Sequence, residues 1–316
     1  MILKVNSLTK KYGSLIAANN ISFEVEEGQV FGILGPNGSG KTTTLGMILD
    51  VTAQDSGTYS WFDSEAGSNQ RKHIGSILET PNFYQHLSAE SNLKIAALIK
   101  DVPFSHIDEV LLRVNLLERK KHAFRTFSLG MKQRLSMAAA LLGNPKVLVL
   151  DEPTNGLDPQ GIIEVRELIQ SLANEGKTII IASHLLDEIE KICTNVMVMK
   201  QGNVLAAGRV DEILASQFGI ATPAKGTKST QQQTNNNQEE WRIEIAADDL
   251  SLLEKELELL PFVVKIEKRK DTLLVILNEN IGNSILNKVM FEKGIVLSHL
   301  SRIKKTLEQQ FLEITK

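Results

Sequence analysis

Two kinds of hydrophobic pattern alternate along the first two thirds of the chain. Short apolar runs at residues 30–34, 147–150 and 179–182 have the length and continuity of buried strands. Apolar residues at helical spacing follow elsewhere, as at residues 92–100 and 107–117. Strands that alternate with helices predict an α/β fold.

This pattern stops at residues 219–240, which are polar, low in complexity and almost free of large apolar side chains. Such a segment cannot bury enough apolar surface to offset the entropy lost on ordering. We therefore expect a flexible linker here, between a first domain at residues 1–218 and a smaller domain at residues 241–316.

The pattern after the linker is that of a small α+β domain. Its predicted elements are a strand at 241–245, a helix at 248–260, strands at 264–268 and 273–277, a helix at 281–292, a strand at 295–300 and a final helix at 305–314. The order β-α-β-β-α-β predicts a ferredoxin-like accessory domain.

Composition is that of an ordinary globular protein of about two domains, with 316 residues, 42% hydrophobic and 23% charged. A net charge of -3 provides no strongly basic face, so we expect no nucleic-acid partner. The single cysteine, Cys193, excludes an internal disulfide and fits a reducing compartment. No signal peptide and no run of about 18 apolar residues is present, so we expect any work at a membrane to require a partner.

Residues 35–42 read Gly-Pro-Asn-Gly-Ser-Gly-Lys-Thr and follow the P-loop pattern, between an apolar strand and a predicted helix at 43–49. Glycines allow backbone N–H groups to converge on phosphate oxygens, and the helix N-terminus adds partial positive charge. Lys41 is expected to reach the β- and γ-phosphates, and the Thr42 hydroxyl to ligate Mg²⁺. The predicted ATP-binding residues of this loop are Gly35, Pro36, Asn37, Gly38, Ser39, Gly40, Lys41, Thr42 and Thr43.

Two acids, Asp151 and Glu152, end the apolar run that begins at residue 147. With a P-loop in the same chain, Asp151 is expected to bind Mg²⁺ directly or through water. Glu152, one residue further, is the candidate base that accepts a proton from the attacking water.

A P-loop also occurs in GTPases and nucleotide kinases, so the segment between Thr42 and Asp151 decides the family. Residues 127–134 read Phe-Ser-Leu-Gly-Met-Lys-Gln-Arg and resemble the Leu-Ser-Gly-Gly-Gln signature of ABC ATPases. Ser128 and Gly130 match this signature, whereas Leu129 and Met131 depart from it.

Three further marks strengthen the resemblance. Residues 154–159, with Asp158, resemble the D-loop, an apolar strand ends at His184 as in the H-loop, and Tyr12 occupies the aromatic A-loop position. The resemblance implies that Tyr12 stacks on adenine, that His184 senses the γ-phosphate, and that Asp158 lies at a subunit interface. It also implies a head-to-tail homodimer, in which each signature closes over ATP held by the other subunit.

Glu79 stands where the family usually has glutamine, within residues 74–87. This variant is similar to ATPases of bacitracin-resistance and lantibiotic self-protection exporters. We hypothesise that Glu79 contacts the metal and its attacking water; the other reading is a loop acid without that role.

The family resemblance implies a P-loop NTPase ABC ATPase core with a helical signature subdomain at about residues 80–135, which receives a cytoplasmic helix of a membrane permease. The expected activity is Mg²⁺-dependent ATP hydrolysis that powers export of a peptide antibiotic, a drug or a lipid-like amphiphile. The expected location is cytoplasmic, peripheral on the inner face of the cell membrane.

Two other functions are open to a chain with these motifs. One is a soluble ABC ATPase acting on ribosomes or nucleic acid, but such proteins typically have two ATPase cores or a long coiled coil, and this chain has one P-loop and no heptad run. The other is a nucleotide-binding scaffold without turnover, which conflicts with the presence of Glu152 and His184. Transport is favoured over both.

Overall fold

The computed structural model describes residues 1–65, 70–78, 82–216, 241–279 and 281–302. The chain divides into two compact units between Ile213 and Leu214. The predicted linker at 219–240 and the predicted final helix at 305–314 lie outside the described residues.

The first unit contains strands β1 to β10 and helices α1 to α6. The strands are β1 (Leu3–Tyr12), β2 (Leu15–Val25), β3 (Val30–Leu34), β4 (Ser56–Trp61), β5 (Ser64–Glu65), β6 (Ile74–Ile77), β7 (Val147–Asp151), β8 (Thr178–Ser183), β9 (Asn195–Lys200) and β10 (Asn203–Arg209). The helices are α1 (Lys41–Ile48), α2 (Ala89–Lys100), α3 (His106–Arg113), α4 (Leu129–Leu141), α5 (Pro159–Asn174) and α6 (Leu186–Ile192). A further helix, α7 (Val210–Ser216), crosses the boundary between the units.

Two sheets organise this unit. The larger has the order β10-β9-β3-β8-β7-β6, in which β10 is antiparallel to β9 and the other neighbours are parallel. The smaller sheet is antiparallel, with the order β2-β1-β4-β5. The larger sheet confirms the α/β prediction.

The three central strands of the larger sheet position the candidate site. Every residue of β3, β8 and β7 is buried, as their continuous apolar sequences predict. Because these strands are parallel neighbours, their carboxyl ends meet at one edge of the sheet. Gly35, Glu152 and His184 directly follow the three strands there, at the edge where open α/β sheets bind ligands.

The helices predicted at residues 92–100 and 107–117 are present, with different ends. Helix α2 begins earlier because the Ser88 hydroxyl accepts a hydrogen bond from the Ser91 N–H (3.1 Å) and caps it. Helix α3 ends earlier, shortly before Asn115, whose φ of 54° is not helical.

Cys193 follows α6 and is buried, and burial raises the pKa of its thiol to about 12. Because the thiolate is the reactive form, we expect a native thiol that is almost inert. Labelling with 5,5'-dithiobis(2-nitrobenzoate) at pH 8 should be slow in buffer and fast in denaturant. Rapid labelling of the folded chain would contradict this burial.

The second unit contains β11 (Trp241–Ala247), α8 (Leu250–Glu258), β12 (Val263–Lys268), β13 (Leu273–Leu277), α9 (Asn283–Glu292) and β14 (Leu297–Arg302). Its strands form an antiparallel sheet of order β12-β13-β11-β14. Alternate residues of β11 and β13 pack with the buried side chains of both helices. This separate core includes Ile243, Ile245, Leu253, Leu257, Leu273, Val275, Leu277, Leu286 and Met290.

Across the described residues, no helix combines the length and the apolar character that crossing a bilayer requires.

Candidate functional site

The P-loop joins β3 to α1 and is held tightly by its neighbours. Gly40 has a φ of 101°, and a Cβ there would lie 2.1 Å from the Ala17 carbonyl oxygen. A Cβ on Gly35 would lie 2.5 Å from the Met199 carbonyl oxygen. Glycine at both positions therefore lets the loop approach β2 and β9 closely.

The turn between β9 and β10 braces this loop. The Gly202 N–H donates to the Ser39 carbonyl oxygen (2.9 Å), and the Gly202 carbonyl oxygen accepts from the Asn19 N–H (2.8 Å). The Ser39 hydroxyl is buried and has no hydrogen-bond partner among the described residues. A buried hydroxyl in this position is available to a polar ligand.

Lys41 is 5% exposed, and its ammonium group has three partners. Nζ donates to the carbonyl oxygens of Gly35 (2.8 Å) and Pro36 (3.3 Å). It also forms an ion pair with Oε1 of Glu152 at 3.2 Å. The P-loop lysine is thus held by its own loop and by the candidate base.

Glu152 has a second partner in His184. Nδ1 of His184 lies 2.8 Å from Oε2 of Glu152, and the His184 backbone N–H donates to the same oxygen at 3.3 Å. Glu152 has a φ of 47°, which costs a non-glycine residue about 1–3 kcal/mol. The glutamate is therefore fixed from both sides, by Lys41 and His184, in an unfavourable backbone conformation.

The candidate metal ligands also meet. The Thr42 hydroxyl, in the first turn of α1, donates to Oδ2 of Asp151 at 2.7 Å. Asp151 is 3% exposed at the end of β7. Hydroxyl and carboxylate oxygens are ligands that Mg²⁺ accepts, so this donor set fits the ion. Glu79, the third predicted metal ligand, lies outside the described residues.

An open cleft of about 580 Å³ runs beside the P-loop. Its lining residues are Tyr12, Leu15, Ile16, Ala17, Asn37, Gly38, Gly40, Lys41, Thr42, Thr43, Glu152 and Gln201. Tyr12 is half exposed, and it brings an aromatic ring to the same cleft as the P-loop.

Four residues of the cleft were not predicted from the sequence, and they are Leu15, Ile16, Ala17 and Gln201. Leu15 and Ile16 are exposed although apolar, and they open β2 directly after the turn that follows Tyr12. Adjacent apolar residues directly after a Gly-Ser pair were the available signal. Gln201 had no such signal, because only the fold brings the β9–β10 turn to the P-loop.

The signature residues form the start of α4. The Ser128 hydroxyl caps this helix by accepting from the Met131 N–H at 3.2 Å. Leu129 is half exposed and packs towards Gly156. A Cβ on Gly156 would lie 3.1 Å from the Cδ2 atom of Leu129. Gly130 lies near Leu157, because a Cβ on Gly130 would lie 4.0 Å from the Cδ2 atom of Leu157.

Asp158 caps the next helix, α5, through a hydrogen bond from the Gly161 N–H at 3.1 Å. Neither Asp158 nor a signature residue is among the described residues that line the cleft. Direct contacts within one chain therefore join the P-loop to the two acids and His184, and Tyr12 lines the same cleft, whereas the signature residues lie beside Gly156 and Leu157.

Comparisons with known proteins agree with this arrangement. Residues 18–155 match the ABC transporter family. The chain is 35% identical to the bacitracin transport ATP-binding protein BcrA of Bacillus licheniformis over 318 aligned positions, which cover 99% of this chain and 97% of that protein. It is 39% identical to the lantibiotic transport ATP-binding protein SrtF of Streptococcus pyogenes over 210 positions, 66% of this chain and 92% of that protein.

Among solved structures, cbiO1 from Clostridium perfringens, described as part of the ABC transporter complex cbiONQ, aligns with a TM-score of 0.62 and 32% identity. The alignment covers 68% of this chain and 91% of that one. The predicted resemblance and the predicted P-loop NTPase core are both confirmed. The chain belongs to the ABC transporter family, as an ATP-binding subunit that hydrolyses ATP to drive transport.

Proposed function

We propose that two copies of this chain bind and hydrolyse MgATP and thereby drive a separate membrane permease that exports a peptide antibiotic or a related amphiphile. The observation that carries the proposal is the contact of Thr42 with Asp151, together with the contacts of Glu152 with both Lys41 and His184, beside one cleft. The cargo class is supported by the bacitracin and lantibiotic transport named for BcrA and SrtF.

The P-loop holds the triphosphate in this proposal. Lys41 exchanges its partners for phosphate oxygens, and the N–H groups between residues 38 and 43 surround them at the start of α1. Tyr12 stacks on the base at the other part of the cleft.

Glu152 then accepts a proton from the attacking water. Its Oε2 atom is the one that His184 contacts, so the imidazole orients the carboxylate and interacts with charge on the transferring phosphoryl group. Lys41 stabilises the same charge from the P-loop side.

Thr42 and Asp151 hold Mg²⁺ in this proposal. Within the described part of the chain, no group of three His, Cys, Asp or Glu residues could hold a metal by itself. Phosphate oxygens of a bound nucleotide would supply further oxygen ligands. The ion, when bound, neutralises phosphate charge. Glu79 as an additional ligand stays a prediction.

The exposure of the signature residues Ser128 and Leu129 supports catalysis across a dimer. Ser128, Leu129, Gly130 and Met131 start α4 at an exposed end, where backbone N–H groups provide an anion site. We assign this site to the γ-phosphate of ATP on a second copy, with Asp158 at the interface between copies.

The remaining assignments concern domains and location. We assign residues 1–218 to the ATPase domain, with the permease-binding helical subdomain at 80–135. We assign residues 219–240 to a linker, which stays a prediction, and residues 241–316 to an accessory domain. The complex places this chain at the inner face of the cell membrane.

The partner is tested by affinity capture. A tagged Glu152→Gln chain, trapped with MgATP in its native cells, is expected to recover a polytopic membrane protein in near-stoichiometric amount after mild solubilisation. The control is the tagged Glu152→Gln chain that also carries Lys41→Ala. We expect this control not to form the trapped ATP-bound complex. Ribosomal or DNA-processing proteins without any membrane protein would overturn the transport assignment and favour the non-transport alternative.

A further inference from the structure

The side chain of Lys10 lies against the ring of Tyr12. Its Nζ atom stands over the ring, 5.5 Å from the centroid. The two residues are two positions apart on β1, so they project from the same side of the strand. This distance is within the range of a cation–π interaction.

Asp55, directly before β4, fixes both Lys10 and the backbone next to Tyr12. Oδ1 of Asp55 accepts from Nζ of Lys10 at 3.1 Å, and Oδ2 accepts from the Lys11 N–H at 2.6 Å. The Asp55 N–H in turn donates to the Thr9 carbonyl oxygen at 2.9 Å. One carboxylate therefore ties the last residues before Tyr12 to the neighbouring strand.

Lys10 and Tyr12 differ in their exposure to solvent. The Lys10 side chain is only 15% exposed and does not line the cleft, whereas Tyr12 is 51% exposed and does. The ammonium group stands over one face of the ring, which leaves the opposite face as the one that a ligand in the cleft could stack on.

We infer that Lys10 and Asp55 are positioning residues of the nucleotide site, which hold the Tyr12 ring as a preformed stacking surface for the purine base. This inference rests on the proposed function, because it requires ATP in the cleft. It adds two residues that touch neither base nor phosphate.

Two physical effects support the inference. The ring is ordered before the ligand arrives, so less side-chain entropy is lost when the base stacks on it. The cation on the far face also attracts ring electron density, which reduces electrostatic repulsion between the open face and the π-system of the base. The hydrogen bond from the Lys11 N–H and the bond from Lys10 hold the pKa of Asp55 below its usual value, so the Asp55 carboxylate stays charged at neutral pH.

The test is a double-mutant cycle on ATP affinity in the full-length chain. Lys10→Met keeps the aliphatic stem and removes the charge, and it is expected to raise the Kd for ATP about fivefold. In a Tyr12→Ala background the same substitution is expected to change the Kd little, because the stacking surface is already gone. Asp55→Ala is expected to weaken binding at least as much as Lys10→Met, because it removes both bonds.

The matched control is Lys4→Met, which removes another lysine of β1 whose partner is the exposed Glu24 (2.9 Å). It is expected to leave the Kd for ATP unchanged. Inorganic tripolyphosphate, which has no base, provides a second readout: Lys10→Met should leave its Kd unchanged.

The outcomes separate the inference from the proposed function. No ATP binding by the unmodified chain would remove the proposed function. Normal binding by the unmodified chain, with an equal loss for ATP and tripolyphosphate in Lys10→Met, would leave that function intact and overturn the inference. A loss for ATP that persists fully in the Tyr12→Ala background would overturn it as well.

Discussion

Glu152→Gln is expected to slow ATP hydrolysis by roughly 10²–10⁴-fold while leaving ATP binding intact. The amide has nearly the same shape as the carboxylate, so its oxygen still accepts from the His184 N–H, but it cannot take a proton from water. The substitution also removes the ion pair to Lys41, which leaves the ammonium group available to phosphate oxygens. Single-turnover hydrolysis and equilibrium binding of ATP, measured on the same preparation, check both parts.

The matched control is Glu24→Gln, an isosteric change at an acid whose side chain is 48% exposed and pairs with Lys4. It should hydrolyse ATP at the rate of the unmodified chain. Normal turnover in Glu152→Gln would remove the assignment of Glu152 as the base. Loss of ATP binding in that variant would indicate a structural role instead.

Lys41→Ala is expected to weaken ATP binding itself by about 10–100-fold, as the loss of a charge-assisted hydrogen bond of about 1.5–3 kcal/mol implies. Truncation also leaves Glu152 without its cation in a mostly buried position. We therefore expect a lower melting temperature for the nucleotide-free variant. Isothermal titration with MgATP and a thermal melt measure the two effects separately.

Lys41→Met is the companion variant, because it keeps the buried stem and removes only the charge. It should lose ATP affinity to a similar extent while regaining part of the stability lost on truncation to alanine. If both variants bound ATP as tightly as the unmodified chain, Lys41 would have no part in the phosphate site.

The sequence predicted the central strands well, because their burial is complete. The apolar run at residues 30–34 coincides with β3, and the run at 179–182 lies within β8. Helix α1 begins at Lys41 rather than residue 43, since the chain enters it directly from Gly40 in a left-handed conformation. Such conformations depend on contacts with the rest of the fold, here with Ala17, that no local pattern contains.

The residues of the candidate site could be predicted from the sequence, but the contacts between them could not. Lys41 and Glu152 are far apart in sequence, and their ion pair exists only because β3 and β7 flank β8 in the sheet. The apolar wall at Leu15 and Ile16 escaped prediction for a similar reason. These side chains acquire a role only when β2 is folded against the P-loop.

The close contacts of Gly40 with Ala17, and of Gly202 with both Asn19 and Ser39, have a consequence for ligand choice. They join the hairpin that carries Tyr12 to the P-loop, so contacts within the protein set the distance between the two ends of the cleft. In the proposed function, a ligand that reaches both ends is therefore expected to carry an aromatic group and an anionic group at the matching distance. A compound that carries both groups at another distance is expected to reach only one end at a time.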